Sequence, residues 1–590
     1  MKRRWLIFML LLLTLLPSLA LAQDERPALT DLARVMRADT ALYVAMRTDE
    51  EFLTLLESLT QPLVDLANAS GQPSPSLRDA LNQGLAAANT DLDSVMAWLG
   101  DTAALGATAG AVLPDVPPGA AGGAVILAAQ IDDRAAAEAF FASALPDAPP
   151  PVMQGGMSIY EGAGSNGGMA ITDDLIVVYT STPNPLLTRD AKLNSSGSFQ
   201  SAIDALPADA YNLLVYADPR WVTAAEPIEA FAQPLQSAPL AVGFTLLDDR
   251  SFVIDSAQLP LDGAQAGAPA AIDPTFARFL PADASATIQA VNLSGLIRSA
   301  LALADAAAAN GSQAPVPSAQ AAQLFAFLGL DLEEDLLSWT TGDFGLFLRV
   351  NFLDLAPSLV RGGIPDLSTL SERIDAGLVI EATDPAKAQA LAVKLSEFLT
   401  QVVENMQGIS ISSETVHGVE TTVIHLDLTL DVTTTIPVDL LLGASDEIFF
   451  LGTRPAVEAI LSGDGTLPAN PFYNAALAHT LPNPTTLWVA DGEGLVIVAG
   501  TVVGIQLALV GPAIGTVFDS IVAEIQAQGG GAVATPTPTP TPAIGVLLPP
   551  ELAEAVGNAI GVLQRSSGTI SATVNDAGVT LLRFVITLPE

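Results

Sequence analysis

The sequence predicts an α+β protein with two tandem homologous modules, each a largely antiparallel sheet with helices packed on one face. Three observations lead to this fold class. The order of strand-like and helix-like segments occurs twice along the chain, most strands return through hairpins, and helical stretches are inserted in pairs between strands. Of the 590 residues, 50% are hydrophobic. That share is enough to build cores, so global disorder is excluded.

Residues 1–22 have the pattern of a secretory signal peptide. Three basic residues, Lys2–Arg4, precede an apolar stretch at 6–16, and an A-x-A cleavage site ends at Ala22. We therefore expect export and a mature chain that begins at Gln23. An uncleaved membrane anchor is the alternative, although the apolar stretch is shorter than the roughly 20 residues that a helix needs to span a bilayer.

The duplication is visible in matching segments. Each copy opens with a strand, continues to an acidic helix that is followed by Trp and Gly-Asp, and then passes through a strand into a helix. The matching segments are ADTALYVAMRT (38–48) with ADASATIQAVN (282–292), DLDSVMAWLGD (91–101) with DLEEDLLSWTTGD (331–343), and GGAVILAAQIDDRAAAEAFFASAL (122–145) with DAGLVIEATDPAKAQALAVKLSEFL (375–399). We expect a first module at 23–262, a linker at 263–274 and a second module at 275–590.

Several predicted helices begin with capping residues. The tetrad Thr48–Glu51 has the pattern of a capping box in front of an apolar helix face. Asp384 is expected to cap a helix that has Pro385 at its first position, where a missing N–H costs nothing. In the first module, Asp132 or Asp133 occupies the corresponding place.

Each module is expected to end in a hairpin, at 240–259 and at 569–588. Before the second hairpin lie the uncharged segment Leu495–Phe518 and a Pro/Thr-rich excursion at 529–543. If that hairpin completes the second module, the uncharged segment lies on the same side of the membrane as the module. We therefore favour a buried or interfacial helix for Leu495–Phe518 and keep a membrane span as the alternative.

The charge balance excludes several classes of partner. The chain has 23 Lys and Arg against 64 Asp and Glu, which gives a net charge of −41. A surface so poor in bases cannot neutralise phosphates, which argues against nucleic-acid binding and against polybasic attachment to anionic lipid. The chain has no cysteine, so disulfides, thiolate metal sites and thiol nucleophiles are excluded.

No catalytic or cofactor motif emerges. Residues 162–167 satisfy G-x-G-x-x-G, but strand-like sequence follows instead of the helix that a dinucleotide site needs, so a hairpin loop is the favoured interpretation. The three histidines, His417, His425 and His479, all lie in the second module, and we expect structural roles for them. The sequence contains no nucleophile elbow, Walker or zinc-protease motif. We therefore predict no catalytic, cofactor or metal residue.

The repeated acidic and Trp positions are interpreted as structural. Asp91 and Asp93 recur as Asp331, Glu333 and Glu334 in front of an apolar helix, where helix capping explains them and cation binding is the alternative. Trp98 and Trp339 occupy equivalent positions in the two copies. Equivalence of this kind favours a packing role over ligand binding.

The recurring pattern resembles an exported bacterial family known as domain of unknown function 3352, in two tandem copies. The resemblance rests on the ADTALYVA-like opening, on DLDSVMAWLGD before a strand, and on an F-x-x-A helix that leads to LLVYAD (213–218). It covers most of the mature chain. It implies export and an α+β repeat, and it implies no reaction and no site residues.

These observations favour an exported, non-catalytic protein of the cell surface, periplasm or extracellular space, with a binding or structural role and an unknown protein or apolar ligand as its partner. One alternative is a carrier of lipid or another apolar ligand, because half the residues are hydrophobic and Leu495–Phe518 could line a groove. A second alternative is a hydrolase that uses dispersed carboxylates.

Overall fold

The structure is a computed structural model. It describes residues 28–69, 75–86, 90–108, 124–144, 150–161, 167–180, 184–188, 190–208, 210–218, 238–246, 251–260, 270–309, 317–350, 374–403, 408–429, 435–463, 466–492, 494 and 566–587. The predicted signal peptide, Leu495–Phe518 and the Pro/Thr-rich excursion lie outside these ranges. None of the helices within them is long and apolar enough to cross a membrane.

The described chain contains twenty strands. The first ten are β1 (Thr40–Arg47), β2 (Leu99–Thr108), β3 (Val125–Ile131), β4 (Val152–Gln154), β5 (Met157–Glu161), β6 (Gly168–Ile171), β7 (Leu175–Tyr179), β8 (Leu213–Ala217), β9 (Leu240–Leu246) and β10 (Ser251–Gln258). The second ten are β11 (Ala286–Val291), β12 (Asp343–Val350), β13 (Ile374–Glu381), β14 (Ile409–Val416), β15 (Val419–Thr429), β16 (Thr435–Ala444), β17 (Ile448–Thr453), β18 (Thr486–Asp491), β19 (Ser567–Val574) and β20 (Thr580–Thr587). We call β1–β10 the first half and β11–β20 the second half.

Within the described ranges, helices connect the strands of each half. Those of the first half are α1 (Glu50–Ala69), α2 (Leu77–Ala86), α3 (Leu92–Met96), α4 (Arg134–Ala144) and α5 (Gly197–Asp204). Those of the second half are α6 (Leu293–Ala309), α7 (Pro317–Phe327), α8 (Pro385–Val403), α9 (Arg454–Ser462) and α10 (Pro471–Leu477), together with a π-helical segment at Leu332–Leu337. Short 3₁₀ helices lie at Asp31–Arg34, Leu193–Ser195, Pro274–Phe279 and Leu467–Ala469.

All twenty strands form one sheet, and every neighbouring pair is antiparallel. From edge to edge the order is β4-β5-β6-β7-β3-β2-β1-β8-β9-β10-β20-β19-β18-β11-β12-β13-β17-β16-β15-β14. The order of the second half mirrors that of the first about the β10–β20 pair. The prediction of two modules with a separate sheet each is therefore wrong.

The chain's last hairpin explains this outcome. Strand β20 pairs with β19 on one side and with β10 on the other, in register from Ser251 opposite Thr587 to Gln258 opposite Thr580. A strand edge presents unpaired N–H and C=O groups, and β20 satisfies those of β10. The hairpin at 569–588 was predicted to complete only the second module, but it also extends the sheet of the first half.

A buried ion pair lies in the β10–β20 seam. Arg583 donates to Asp255 through Nε at 2.7 Å and through Nη2 at 2.8 Å, and the Tyr211 hydroxyl donates to the same carboxylate at 2.8 Å. Asp255 and Arg583 are direct cross-strand neighbours. The Asp255 side chain is fully buried, so Arg583 and Tyr211 supply the hydrogen bonds that water cannot.

Helices cover both faces of the sheet, so the prediction of helices on one face is also wrong. We call the two sides face A and face B. In β1, Leu42, Val44 and Met46 point to face A, where the first half packs α1–α4, while Tyr43 and Ala45 point to face B, where it packs α5 and two 3₁₀ helices. All eight residues of β1 are buried. The strand is therefore a nearly continuous apolar run, as expected for a strand covered on both sides.

The second half follows the same division. By the cross-strand register, Phe344 and Ile380 point to face A. There they pack with α6–α8 and the π-helical segment. Face B continues to Val423 and Leu441, which pack with α9, α10 and the 3₁₀ helix at Pro274–Phe279. Part of the predicted linker belongs to this packing, because Ile272 is buried in the face B cluster.

Candidate functional site

The repeated acidic positions cap helices, as predicted. The Asp91 carboxylate accepts a hydrogen bond from the Ser94 N–H at 2.8 Å, and Asp331 accepts one from the Glu334 N–H at 2.8 Å. Glu333 pairs with Arg298 at 2.8 Å. Within the described ranges, no group of three or more His, Asp or Glu side chains could hold a metal ion. The cation-binding alternative therefore gains no support there.

The glycine-rich motif connects a hairpin. Residues 162–166 lie outside the described residues, but the strands on either side, β5 and β6, pair antiparallel with Glu161 opposite Gly168. The segment after the motif is thus a strand and not a helix, which is the arrangement that the hairpin-loop interpretation predicted.

The two equivalent tryptophans are core residues, as predicted. Trp98 and Trp339 are each 1% exposed. Trp98 packs against Phe140 and Phe141 of α4, and Trp339 packs against Phe449 of β17. Both lie on face A, beneath the helices.

The three histidines occupy different environments. His417 lies in the turn between β14 and β15 with a φ of 47°, followed by Gly418 with a φ of 86°. These positive φ values are typical of a tight two-residue hairpin turn. His479 lies just after α10. His425 lies within β15, and its ring is part of a hydrogen-bonded chain.

That chain joins three side chains on neighbouring strands of face B. The Ser412 hydroxyl of β14 lies 3.0 Å from His425 Nε2, and His425 Nδ1 lies 2.7 Å from the Asp439 carboxylate of β16. His425 and Asp439 are direct cross-strand neighbours, whereas Ser412 is two residues along from Ser410, the partner of His425 in β14. We call Ser412, His425 and Asp439 the edge triad.

Arg454, at the start of α9, fixes the acidic end of the edge triad. Its Nε donates to Asp439 at 2.9 Å, and its Nη1 contacts Glu414. Partial burial raises the pKa of Asp439, but hydrogen bonds from Arg454 and His425 outweigh this effect and hold the pKa below its usual range. Asp439 therefore stays ionised and keeps the His425 ring in one orientation.

The edge triad is open to solvent. Ser412 is exposed, and the His425 side chain keeps 42% of its surface accessible. Strand β14 pairs only with β15 among the described strands, so it forms one edge of the described part of the sheet. A molecule can approach Ser412 from that edge.

A second candidate surface lies in the middle of face A. Six apolar residues, one from each of six adjacent strands, stand side by side in register. We call this row the central strip: Phe244, Ile254, Phe584, Ile570, Trp488 and Ile288. Phe584 and Ile570 are buried and the other four are half-buried. The apolar cluster around them contains only strand residues among those described, whereas helices cover face A on both flanks.

The two faces of these six strands differ in polarity. On face A, none of the side chains of β9, β10, β20, β19, β18 and β11 is charged. On face B, the same strands carry Asp255 and Arg583, which are paired in the seam. A partly exposed sheet surface without charge is a feature of binding sites for apolar partners.

Comparison with known proteins assigns the chain to a family. The family model described as "Protein of unknown function (DUF3352)" matches residues 6–489. The chain belongs to this family. The match runs as one domain from the first half into β18 of the second half, and it confirms the resemblance to the family but not the two tandem copies. No curated protein and no solved structure matches the chain.

No sequence motif indicates the edge triad. Ser412, His425 and Asp439 are spaced 13 and 14 residues apart, and strand register alone brings them together. A two-residue turn at His417-Gly418 would have placed Ser410 opposite His425. The place of Asp439 depends on the β15–β16 register, for which the sequence carries no comparable turn signal.

Proposed function

We propose that the protein is an exported binding protein of the bacterial cell envelope and that its ligand is a long apolar chain, such as the acyl chain of a lipid, held along the central strip. The observation that carries the proposal is the uncharged row across six strands of face A, in which four of the six side chains are partly exposed. Burying apolar surface of this kind contributes roughly 25 cal/mol per Å².

The shape of the central strip supports an elongated ligand. Neighbouring strands lie about 4.8 Å apart, so six strands give a row of roughly 24 Å. On face A, helices flank the row at both ends, with α1–α4 on one side and α6–α8 on the other. A linear chain lying across the strands would follow the row and contact its four partly exposed side chains, Phe244, Ile254, Trp488 and Ile288.

The charge of the chain favours a ligand recognised by its apolar part. With 23 basic residues against 64 acidic ones, the surface is poorly suited to hold an anionic headgroup. The proposal assigns no reaction to the central strip. It also includes export through the leader at 1–22 and an origin of the two halves as copies of one unit, which the mirrored strand order supports.

The binding proposal is tested by titrating the full-length protein with a dansylated palmitate and following the fluorescence of the dansyl group. The wild-type protein should give a saturable increase. Leu582→Glu places a carboxylate among the half-buried residues beside the strip and should weaken binding by roughly tenfold or more, because a charge is costly in apolar contact. Val393→Glu is the matched control, since Val393 is an exposed apolar residue on α8, 57% accessible.

The proposal fails if the wild-type protein gives no saturable signal or if both variants bind like the wild type. Export is tested separately by N-terminal sequencing of the protein from the envelope fraction of its host. A mature chain that starts at Gln23 supports export with cleavage, and a chain found intact in the cytoplasm refutes it.

A further inference from the structure

We propose that the edge triad is a nucleophilic site that hydrolyses carboxylic esters, with Ser412 as the nucleophile, His425 as the general base and Asp439 as the group that orients the histidine. This activity goes beyond the binding proposed for the central strip. The edge triad and the central strip also lie on opposite faces of the sheet, so the two proposals are independent.

The geometry meets the requirement for an activated serine. A nucleophile and its base must lie within hydrogen-bonding reach, and a third group must orient the base. Here the Ser412 hydroxyl lies 3.0 Å from His425 Nε2, and the opposite ring nitrogen, Nδ1, lies 2.7 Å from Asp439. With the proton on Nδ1 donated to the ionised carboxylate, Nε2 is left to accept the hydroxyl proton of Ser412.

Arg454 makes this arrangement specific. It holds one oxygen of Asp439 through its Nε at 2.9 Å, while the other oxygen accepts from His425. An exposed Asp would rotate among several positions, but Arg454 leaves Asp439 a single one. Arg454 acts through Asp439 and is therefore a positioning residue.

The strand edge supplies a donor for the oxyanion. The Asp427 N–H donates to the Gly408 carbonyl at 2.7 Å. In an antiparallel ladder this pattern repeats every second residue. The alternation therefore turns the N–H of Ser412 towards β15 and the N–H of Ser413 away from it. The residue that follows the nucleophile thus directs its N–H to the open edge, where it can donate to the carbonyl oxygen of an ester bound at Ser412.

The reaction consists of two balanced steps. Ser412 Oγ attacks the ester carbonyl as its proton moves to His425 Nε2, and the bond to the alcohol oxygen breaks as that proton passes to the leaving alcohol. Water then attacks the acyl group on Ser412 with His425 again as base, which releases the carboxylic acid and restores the serine hydroxyl. The site lies at an open edge, so it would accept esters whose acyl group can reach an exposed strand.

The decisive experiment treats the full-length protein with a fluorophosphonate probe and locates the label by peptide mass spectrometry. We expect the label on Ser412. Ser412→Ala should remove it, and because the side chain is exposed this variant should fold normally. Ser410→Ala is the matched control: Ser410 is also exposed on β14 and lies opposite His425, but the hydroxyl that contacts the ring is that of Ser412, so labelling should be unchanged.

A second readout separates catalysis from a structural role. The rate of p-nitrophenyl acetate hydrolysis should fall by at least about 100-fold in His425→Gln, since a general base contributes roughly 10²–10⁴ in rate, while the urea midpoint stays close to that of the wild type. The proposal is overturned if the wild-type Ser412 is not labelled, if labelling persists in Ser412→Ala, or if His425→Gln retains the wild-type rate.

Discussion

The two halves of the sheet share a strand order but differ in their outermost strands. In the first half, β4, β5 and β6 have three, five and four residues, whereas β14, β15 and β16 of the second half have eight, eleven and ten. The first half also contains no histidine, so it has no counterpart of His425. The edge triad is therefore a property of the second half alone.

This difference shows that the central strands and the outer strands are under different packing constraints. The central strands of both halves are buried on two faces, so their apolar runs and their pairing order recur. The outer strands are partly exposed and can change in length and polarity without disturbing the core. A side-chain arrangement that is specific to one half, such as the edge triad, can therefore form at an edge, where few packing constraints oppose it.

The largest loss of stability is expected when the cation of the β10–β20 seam, which joins the two halves, is removed. Arg583→Ala leaves the Asp255 carboxylate buried without its partner and should lower the free energy of unfolding by about 3–5 kcal/mol. Urea denaturation measures the loss. The control is Arg298→Ala, which breaks an exposed pair with Glu333 and should change stability little. Equal effects of the two substitutions would contradict a structural role for the seam.

The equivalence of the halves in their cores is tested by the two buried tryptophans. Trp98→Ala and Trp339→Ala should each lower the free energy of unfolding by about 3–5 kcal/mol, because each removes a large buried side chain. Trp488→Ala, at a half-buried position in β18, should cost less. If one of the two equivalent tryptophans behaved like Trp488, the halves would not share the same core packing.

A smaller difference between the halves is expected in the pH dependence of stability, through Asp343 of the second half. Burial above all, together with the charge of Glu381, raises the pKa of Asp343 to about 6, although the Asp273 N–H donates to its carboxylate. The unfolded carboxyl titrates near pH 4, so the folded state holds a proton that the unfolded state has released between these values. The stability that Asp343 contributes is therefore present below about pH 4 and is lost as the pH rises to about 6.

Asp343→Asn removes this titration and keeps an oxygen acceptor for the Asp273 N–H. Between pH 4 and pH 7, the free energy of unfolding of the variant should rise by roughly 1–3 kcal/mol relative to that of the wild type. Urea denaturation at both pH values measures the difference. The corresponding residue of the first half, Asp101, has a pKa that is raised by partial desolvation and by Asp132, but its side chain is exposed. Asp101→Asn should therefore show a smaller pH dependence, and a larger one would reverse the comparison.

Local features were predictable where the signal lies within a few residues. Asp384 caps α8 through the Lys387 N–H at 3.2 Å, and Asp133 caps α4 through the Ala136 N–H at 2.9 Å. The capping box predicted for Thr48–Glu51, at the start of α1, is only partly correct. The Phe52 N–H donates to the Asp49 carboxylate at 2.9 Å, but the Thr48 hydroxyl donates to the Gly100 carbonyl of β2 and not to the helix. A tertiary contact competes there with the local cap.

The sequence by itself determined the family, the helix caps and the packing role of Trp98 and Trp339, because each depends on residue type and short spacing. The tertiary structure decided how the halves join and which side chains form the edge triad. Strand β20 pairs with β10 across more than three hundred residues, and the register of β14, β15 and β16 assembles the edge triad. Both depend on which strands become neighbours, and hydrophobic periodicity shows only which residues are buried.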